Sequence, residues 1–213
     1  MENNSTWSLT TKGLYNAVLI QTICGAAAAI FSVILTIQFM SIDSLSDLAA
    51  LADGVSIWGI LRLIAGIGSL VGFILFFMNI AKLKTLVNAN DAPAVGNIHT
   101  AMILTIVNAV LGILGVFIPF LGIITVIIAI IAYVFQLMGY NALKNSTTFP
   151  DIAREGANKI FTAMIISLIA GFVSGLFSVL VPILGLIAYL AVIYAWIMQL
   201  QGWALIAKSE QPR

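Results

Sequence analysis

Apolar positions in this chain come in long runs separated by short polar clusters. Residues 98–140 and 160–205 hold no charged side chain. Each run is about twice the ~18 residues that distinguish a bilayer span from a buried soluble helix, so each must fold back on itself. Pro119 and Pro182 mark the reversals, because proline lacks a backbone donor and clashes with the preceding helical turn. Gly122 and Gly185, three residues on, are expected to supply the tight connection. Two further runs lie nearer the N-terminus. The pattern predicts six helices, at about Gly13 to Met40, Val55 to Ala81, Ile98 to Phe117, Leu121 to Asn141, Ile160 to Leu180 and Ile183 to Ala204. Twenty-one residues rising 1.5 Å each reach about 32 Å, close to the hydrocarbon thickness.

The runs resemble one another. Ile98-His99-Thr100-Ala101-Met102-Ile103 returns as Ile160-Phe161-Thr162-Ala163-Met164-Ile165, and Leu14-Tyr15-Asn16-Ala17-Val18-Leu19 aligns with both. At the other end of the unit, Gln136-Leu137-Met138-Gly139-Tyr140 matches Gln199-Leu200-Gln201-Gly202-Trp203, with Phe77-Met78-Asn79 as a looser counterpart. The expected architecture is an all-α integral membrane protein in a single membrane domain, residues 1–213. Six transmembrane helices form three two-helix repeats, at about 13–84, 96–144 and 158–208. An even number of crossings per unit keeps the copies parallel, related by an axis along the membrane normal. The segment 44–53, with Leu45, Leu48, Ala49 and Ala52 at helical spacing and Gly54 at its end, reads as a short interfacial helix.

Composition agrees: 62% of the 213 residues are hydrophobic and 8% charged, against about a quarter charged in a soluble domain. Alternating connections put Lys12, Lys82, Lys84, Lys144, Arg154, Lys159, Lys208 and Arg213 on one face and leave only Arg62 elsewhere. The positive-inside rule makes that face cytoplasmic, with both termini inside. The expected location is a prokaryotic cytoplasmic (inner) membrane. A net charge of +1 offers no clustered cations for nucleic acid. The inner linkers, Val87 to Pro93 and Asn145 to Asp151, are too short for a soluble domain. The single cysteine, Cys24, reads as a buried thiol in the first helix. It does not read as a lipid attachment site, because Ile23 before it is too bulky.

Candidate chemistry is sparse. Gln21, Thr105 and Ser167 occupy one repeat position in the three first helices. They would converge on a polar constriction if those helices lined the axis, or bridge neighbouring helices if they did not. Gln136 and Gln199 form a similar pair. Arg62 is the one charge expected within the hydrocarbon, about 10 Å below the outer boundary at Val55. It either contacts an anion in an outward cavity or snorkels to the headgroups and pairs with Asp43, Asp47 or Asp53. His99 shares its position with Tyr15 and Phe161, so aromatic character is the common property, that of an interfacial belt residue. Trp7, Trp58, Tyr140, Trp196 and Trp203 are likewise expected as boundary anchors. Gly68 to Gly72 and Gly171 to Gly175 are small-xxx-small patterns that let backbones approach. No set of His, Cys and carboxylates suggests a metal, cofactor or catalytic triad.

With its Pro-x-x-Gly hairpins, Pro119 to Gly122 and Pro182 to Gly185, and Ala142-Leu143-Lys144 closing the fourth helix, the chain resembles small prokaryotic multi-pass membrane families of unknown function. That resemblance implies a fold and no activity. The architecture is also similar to acid-resistance membrane proteins built from two-helix repeats. The expected function is a non-enzymatic membrane scaffold or accessory subunit. It would contact lipid, with a protein partner or a second copy on small-residue faces. The alternative is a small-solute or ion transporter or channel using a polar cavity between the repeats.

Overall fold

The computed structural model describes residues 2–40, 45–115, 117–118, 120–177 and 182–211, with side chains outside 2–4, 39–40, 45–56, 176–177 and 182–186. It contains α1 (Glu2–Met40), α2 (Leu45–Leu86), α3 (Ala92–Gly115), α4 (Leu121–Lys144), α5 (Asp151–Phe177) and α6 (Pro182–Lys208). All six are long and apolar enough to cross a membrane. They pair in chain order as antiparallel hairpins α1·α2, α3·α4 and α5·α6.

The helices begin earlier than the apolar runs do. Eleven polar-rich residues precede Gly13 within α1, and α5 opens at Asp151, well before Ile160. Apolar content reports where lipid begins, whereas helix geometry continues through polar turns that are capped or packed. Asp91 precedes α3 and its carbonyl accepts the Val95 amide at 3.1 Å, the N-cap arrangement. Pro93 fits the first turn, where no intrahelical donor is needed. Pro182 is the first residue of α6 for the same reason.

Three expectations about connections change. Residues 45–53 are the first turns of α2, which runs unbroken through Gly54 to Leu86. The apolar stripe read as a separate interfacial helix simply continues in phase, and Ser44 lies outside the described residues. Gly122 and Gly185 are helical, and no described glycine has a positive φ. The α3–α4 reversal is instead made by backbone turns, with Phe117 and Ile118 amides on the Leu114 carbonyl at 3.0 and 3.1 Å and the Leu121 amide on Ile118 at 3.0 Å. Pro119 and Val181 lie outside the described residues.

The chain divides into two compact units, one of Met1–Tyr15 with Phe77–Arg213 and one of Asn16–Phe76. In the smaller unit α1 and α2 meet closely at glycines. A Cβ on Gly72 would lie 2.9 Å from the Ala17 carbonyl oxygen and 2.8 Å from Gln21 Cγ, and one on Gly68 would lie 2.5 Å from Cys24 Sγ. Phe31 and Trp58 rings add a contact at 5.8 Å.

In the larger unit the same device recurs. A Cβ on Gly139 of α4 would meet Ala94 O at 2.7 Å and Ile98 Cγ1 at 2.5 Å. One on Gly202 of α6 would meet Gly156 O at 2.6 Å and Ile160 Cγ1 at 2.5 Å. Near the N-terminus, Gly13 faces the Asn79 side chain. By contrast Gly171 and Gly175 meet nothing within 4 Å among the described residues. The second small-residue pattern therefore does not serve packing there, because its stripe faces outward.

Burial follows one register in all three hairpins. Leu14, Ala17 and Val18 are buried in α1, Ile98, Ala101 and Met102 in α3, and Ile160, Ala163 and Met164 in α5. On the second helices Ile80 and Leu83, Tyr140 and Leu143, and Trp203 and Ile206 are buried. Trp7, Tyr140 and Trp203, expected at the lipid boundary, are 1%, 3% and 1% exposed. Their place along the helix suits a boundary, but they point into protein.

Candidate functional site

The larger unit's helices are joined hairpin to hairpin by aromatic and polar contacts. His99 stacks on Phe77 of α2 at 4.9 Å between centroids, and its register partner Phe161 lies under Lys144 of α4, with Nζ 3.7 Å from the ring centre. The aromatic position read as a belt residue thus packs a first helix against the hairpin before it. The Tyr133 hydroxyl donates to the Met164 carbonyl, also linking α4 to α5. Tyr140 and Trp203 meet edge to face at 6.2 Å. The Trp7 indole donates to the Ser209 carbonyl at 2.9 Å and its ring meets Phe149 edge-on at 6.3 Å, tying both chain ends to the α4–α5 linker.

That linker holds the most structured polar cluster. Asp91 is 3% exposed. It accepts the Ser146 hydroxyl at 2.5 Å on one carboxylate oxygen and the Thr148 hydroxyl at 2.8 Å on the other. Ser146 Oγ in turn accepts the Thr148 and Phe149 amides, both at 3.0 Å. Arg154 Nη1 donates to the Ser146 carbonyl at 3.1 Å and pairs with Asp151. The carboxylate at the start of α3 therefore fixes the loop into α5. Sequence reading treated both linkers only as polar breaks. An acid before Ala-Pro at a helix start, facing a loop with Ser and two Thr, is the signal that was there to find.

Each intramembrane polar position is described within its own helix or hairpin. Thr105 Oγ1 donates to its own helix at Ala101 O, 2.9 Å away, the internal bond common for such residues in membrane helices. Gln21 lies against Gly72 of its own hairpin. Ser167, Gln136 and Gln199 are half-buried. One polar residue was missed. Asn108, one turn deeper than Thr105, has a buried Oδ1 with no hydrogen-bond partner among the described residues. Its signal was being the only amide between Ile98 and Phe117.

Arg62 is exposed on the flank of α2. It sits in a shallow groove of about 410 Å³ formed by that helix alone, between Gly59 and Gly66 and beside Leu63, Ile67 and Leu70. Neither Gly59 nor Gly66 has a described atom within 4 Å of where a Cβ would stand. Asp43, Asp47 and Asp53, the expected pairing partners, lie outside the described side chains. Arg62 is the sixth residue of the apolar span Ile57–Leu86, close enough to its end for a long side chain to reach the headgroups.

Two other clefts are described. A polar one of about 470 Å³ lies between the start of α1 and the C-terminal segment, with Ser8, Lys12, Lys208 and Glu210 in its wall. An apolar one of about 200 Å³ lies between α5 and α6, beside Ala170 and Ala188. Among the described residues no three His, Cys, Asp or Glu side chains gather as metal ligands. No family model matches the chain, and neither a curated protein nor a solved structure is significantly similar to it.

Proposed function

We propose that this is a non-enzymatic membrane scaffold or accessory subunit that works through lateral contacts, built from three parallel two-helix repeats about an axis along the membrane normal. The observation carrying the reading is the filling of the larger unit. Trp7, Leu14, Ile80, Ile98, Ile160 and Trp203 are each under 2% exposed, a densely packed interior of large side chains that suits a scaffold better than a solute path. The common burial register and the matched contacts Gly139–Ile98 and Gly202–Ile160 support the repeat. Eight of the nine cations on one side support cytoplasmic termini in a prokaryotic inner membrane. Outward faces rich in Ile, Leu and Val, such as Leu63, Ile113, Ile123 and Leu190, suit lipid or a partner's helices.

The test is purification from native membranes in a mild detergent, with reconstitution of the pure chain in parallel. A stoichiometric protein partner, and liposomes no leakier to ions than empty ones, are the expected results. Solute or ion flux by the pure chain, with no partner recovered, would overturn the reading in favour of transport.

A further inference from the structure

The ends of the hairpins repeat, but their lysines are placed differently at each. The register that aligns Asn79 with Gly139 and Gly202, and so Arg62 with Gly122 and Gly185, also aligns Lys84 with Lys144 and Ala207. Lys84 of α2 lies on α3, with Nζ 3.6 Å from where a Cβ on Gly96 would stand, and Lys144 of α4 lies over the Phe161 ring of α5. Each packs a second helix against the hairpin that follows. No described helix follows α6. It carries Ala207 at that position and its lysine one residue on, at Lys208, about 100° further round the helix. On the first helices, Lys12 of α1 stands where α3 has Gly96 and α5 has Asn158. The packing that the repeats share therefore calls for neither Lys12 nor Lys208.

Both line one cleft, of about 470 Å³, between the start of α1 and the C-terminal segment. Small-ligand sites span about 300–1,000 Å³. The Trp7 indole, itself 1% exposed, donates to the Ser209 carbonyl at 2.9 Å and ties the two walls together. Lys12 and Lys208 are exposed, and neither has an ion pair, hydrogen bond or ring contact among the described residues. Ser8 adds a hydroxyl. Glu210 is the one acid in the described wall, and it pairs with neither lysine. The other described carboxylates are engaged elsewhere, Asp91 by Ser146 and Thr148, Asp151 by Arg154 and Glu155 by Lys159. Two ammoniums at one cleft repel each other unless an anion joins them, and against a single carboxylate they keep the wall net positive.

The level of the cleft and its donors narrow the anion. The apolar run of α1 starts just beyond it at Gly13, and Leu9, next to Ser8, is 73% exposed, so the cleft opens where headgroups begin. Lysine serves phosphate as a point charge, and one phosphate can offer oxygens to both ammoniums and the hydroxyl together. A carboxylate is matched better by the planar fork of arginine, and no arginine lines the cleft among the described residues.

We propose that this cleft binds the phosphate group of an anionic phospholipid headgroup or of a soluble phosphate ester, which pairs with Lys12 and Lys208 and accepts the Ser8 hydroxyl. The site is independent of the scaffold reading.

The test uses the full-length chain in nanodiscs of phosphatidylcholine, whose choline offsets its own phosphate. One sample is titrated with glycerol phosphate by calorimetry. A second, in discs that also contain phosphatidylglycerol, is extracted into detergent and its retained lipid counted by native mass spectrometry. At least one probe should be bound, and raised salt should weaken it. Lys12→Gln with Lys208→Gln should weaken it about tenfold or more. Lys82→Gln with Lys159→Gln, which removes equal charge outside the cleft, should not. The first pair should fold normally because both side chains are exposed, which thermal unfolding checks. A lysine-dependent hold on phosphatidylglycerol assigns the site to membrane headgroups, and one on glycerol phosphate alone assigns it to a soluble ester. Binding of neither probe, equal weakening by both pairs, or binding indifferent to salt overturns the proposal and leaves the scaffold reading standing.

Discussion

Among the described glycines, Gly156 and Gly202 leave the least room for a side chain between α5 and α6, and that crossing yields a prediction. A methyl at position 202 would stand 2.6 Å from the Gly156 carbonyl oxygen and 2.5 Å from Ile160 Cγ1. A carbon and a carbonyl oxygen normally come no nearer than about 3.3 Å, so α5 and α6 must part by roughly 0.7 Å. Rotamer changes can move Ile160 but not the backbone oxygen. A gap of that size forfeits between a quarter and a half of the dispersion energy along the seam, and overpacking of this kind costs about 1–3 kcal/mol. Alanine's better helix propensity returns about 1 kcal/mol. Gly202→Ala should therefore be destabilised by up to about 2 kcal/mol, and Gly202→Val, whose larger side chain overpacks the seam further without alanine's helix propensity, by more. Gly171→Ala, which meets nothing within 4 Å, should be neutral or stabilised by up to about 1 kcal/mol. Adding Gly156→Ala to Gly202→Ala should cost less than the sum, because helices already parted accommodate the second methyl. Reversible unfolding in mixed micelles with rising dodecyl sulfate fraction, followed by far-UV circular dichroism, measures all four. Gly202→Val as stable as the native chain would refute the close-packed α5·α6 crossing.

The linker latch gives a second expectation. Asp91→Ala removes an ionised acceptor from two hydroxyls and should cost about 2–4 kcal/mol, with Asp91→Asn near half of that, in the same unfolding assay. An unchanged Asp91→Ala would mean the linker is held otherwise. His99→Phe should keep the stack on Phe77 and stay within about 0.5 kcal/mol of native, whereas His99→Ala should lose about 1 kcal/mol. Equal losses in both would show that the imidazole nitrogens matter. Tyr133→Phe deletes the bond to the Met164 carbonyl and should cost about 1 kcal/mol, together with faster hydrogen exchange at the α4–α5 junction. Normal exchange there would disprove that link.

Helix number and pairing were legible in the sequence because lipid imposes one requirement, a sufficient length of apolar side chain, and the runs from Ile98 and Ile160 state it without ambiguity. The helix starts were not. Polar turns before Gly13 and Ile160 carry no hydrophobic signal, and what keeps them helical is tertiary, such as Trp7 on Ser209 and Asp91 capping α3. The same limit explains the glycines. Sequence shows that Gly68, Gly72, Gly171 and Gly175 are small, but only the direction of each stripe separates the first pair, seated on α1, from the second, which faces outward.

The repeats supply an internal comparison that sharpens the candidate site. Positions 7, 91 and 153 share one register and are all buried, yet they carry Trp, Asp and Ala. Burial there belongs to the hairpin, while the chemistry belongs to what each hairpin meets: a carbonyl for Trp7, two hydroxyls for Asp91. Cys24, Asn108 and Ala170 share a second register, the first two half-buried and the third buried, and a thiol, an amide and a methyl at one position cannot all be required for a helix crossing. A polar side chain that its own duplicates do without is not required by the hairpin packing they share. Asn108 and Arg62 both satisfy that condition, whereas Gln21, Thr105 and Ser167, polar in every copy, do not. Of these, Thr105 bonds within its own helix to Ala101 and Gln21 lies against Gly72 of its own hairpin. Arg62 on the α2 flank and Asn108 in α3 are therefore the polar side chains that the hairpin pattern itself does not call for.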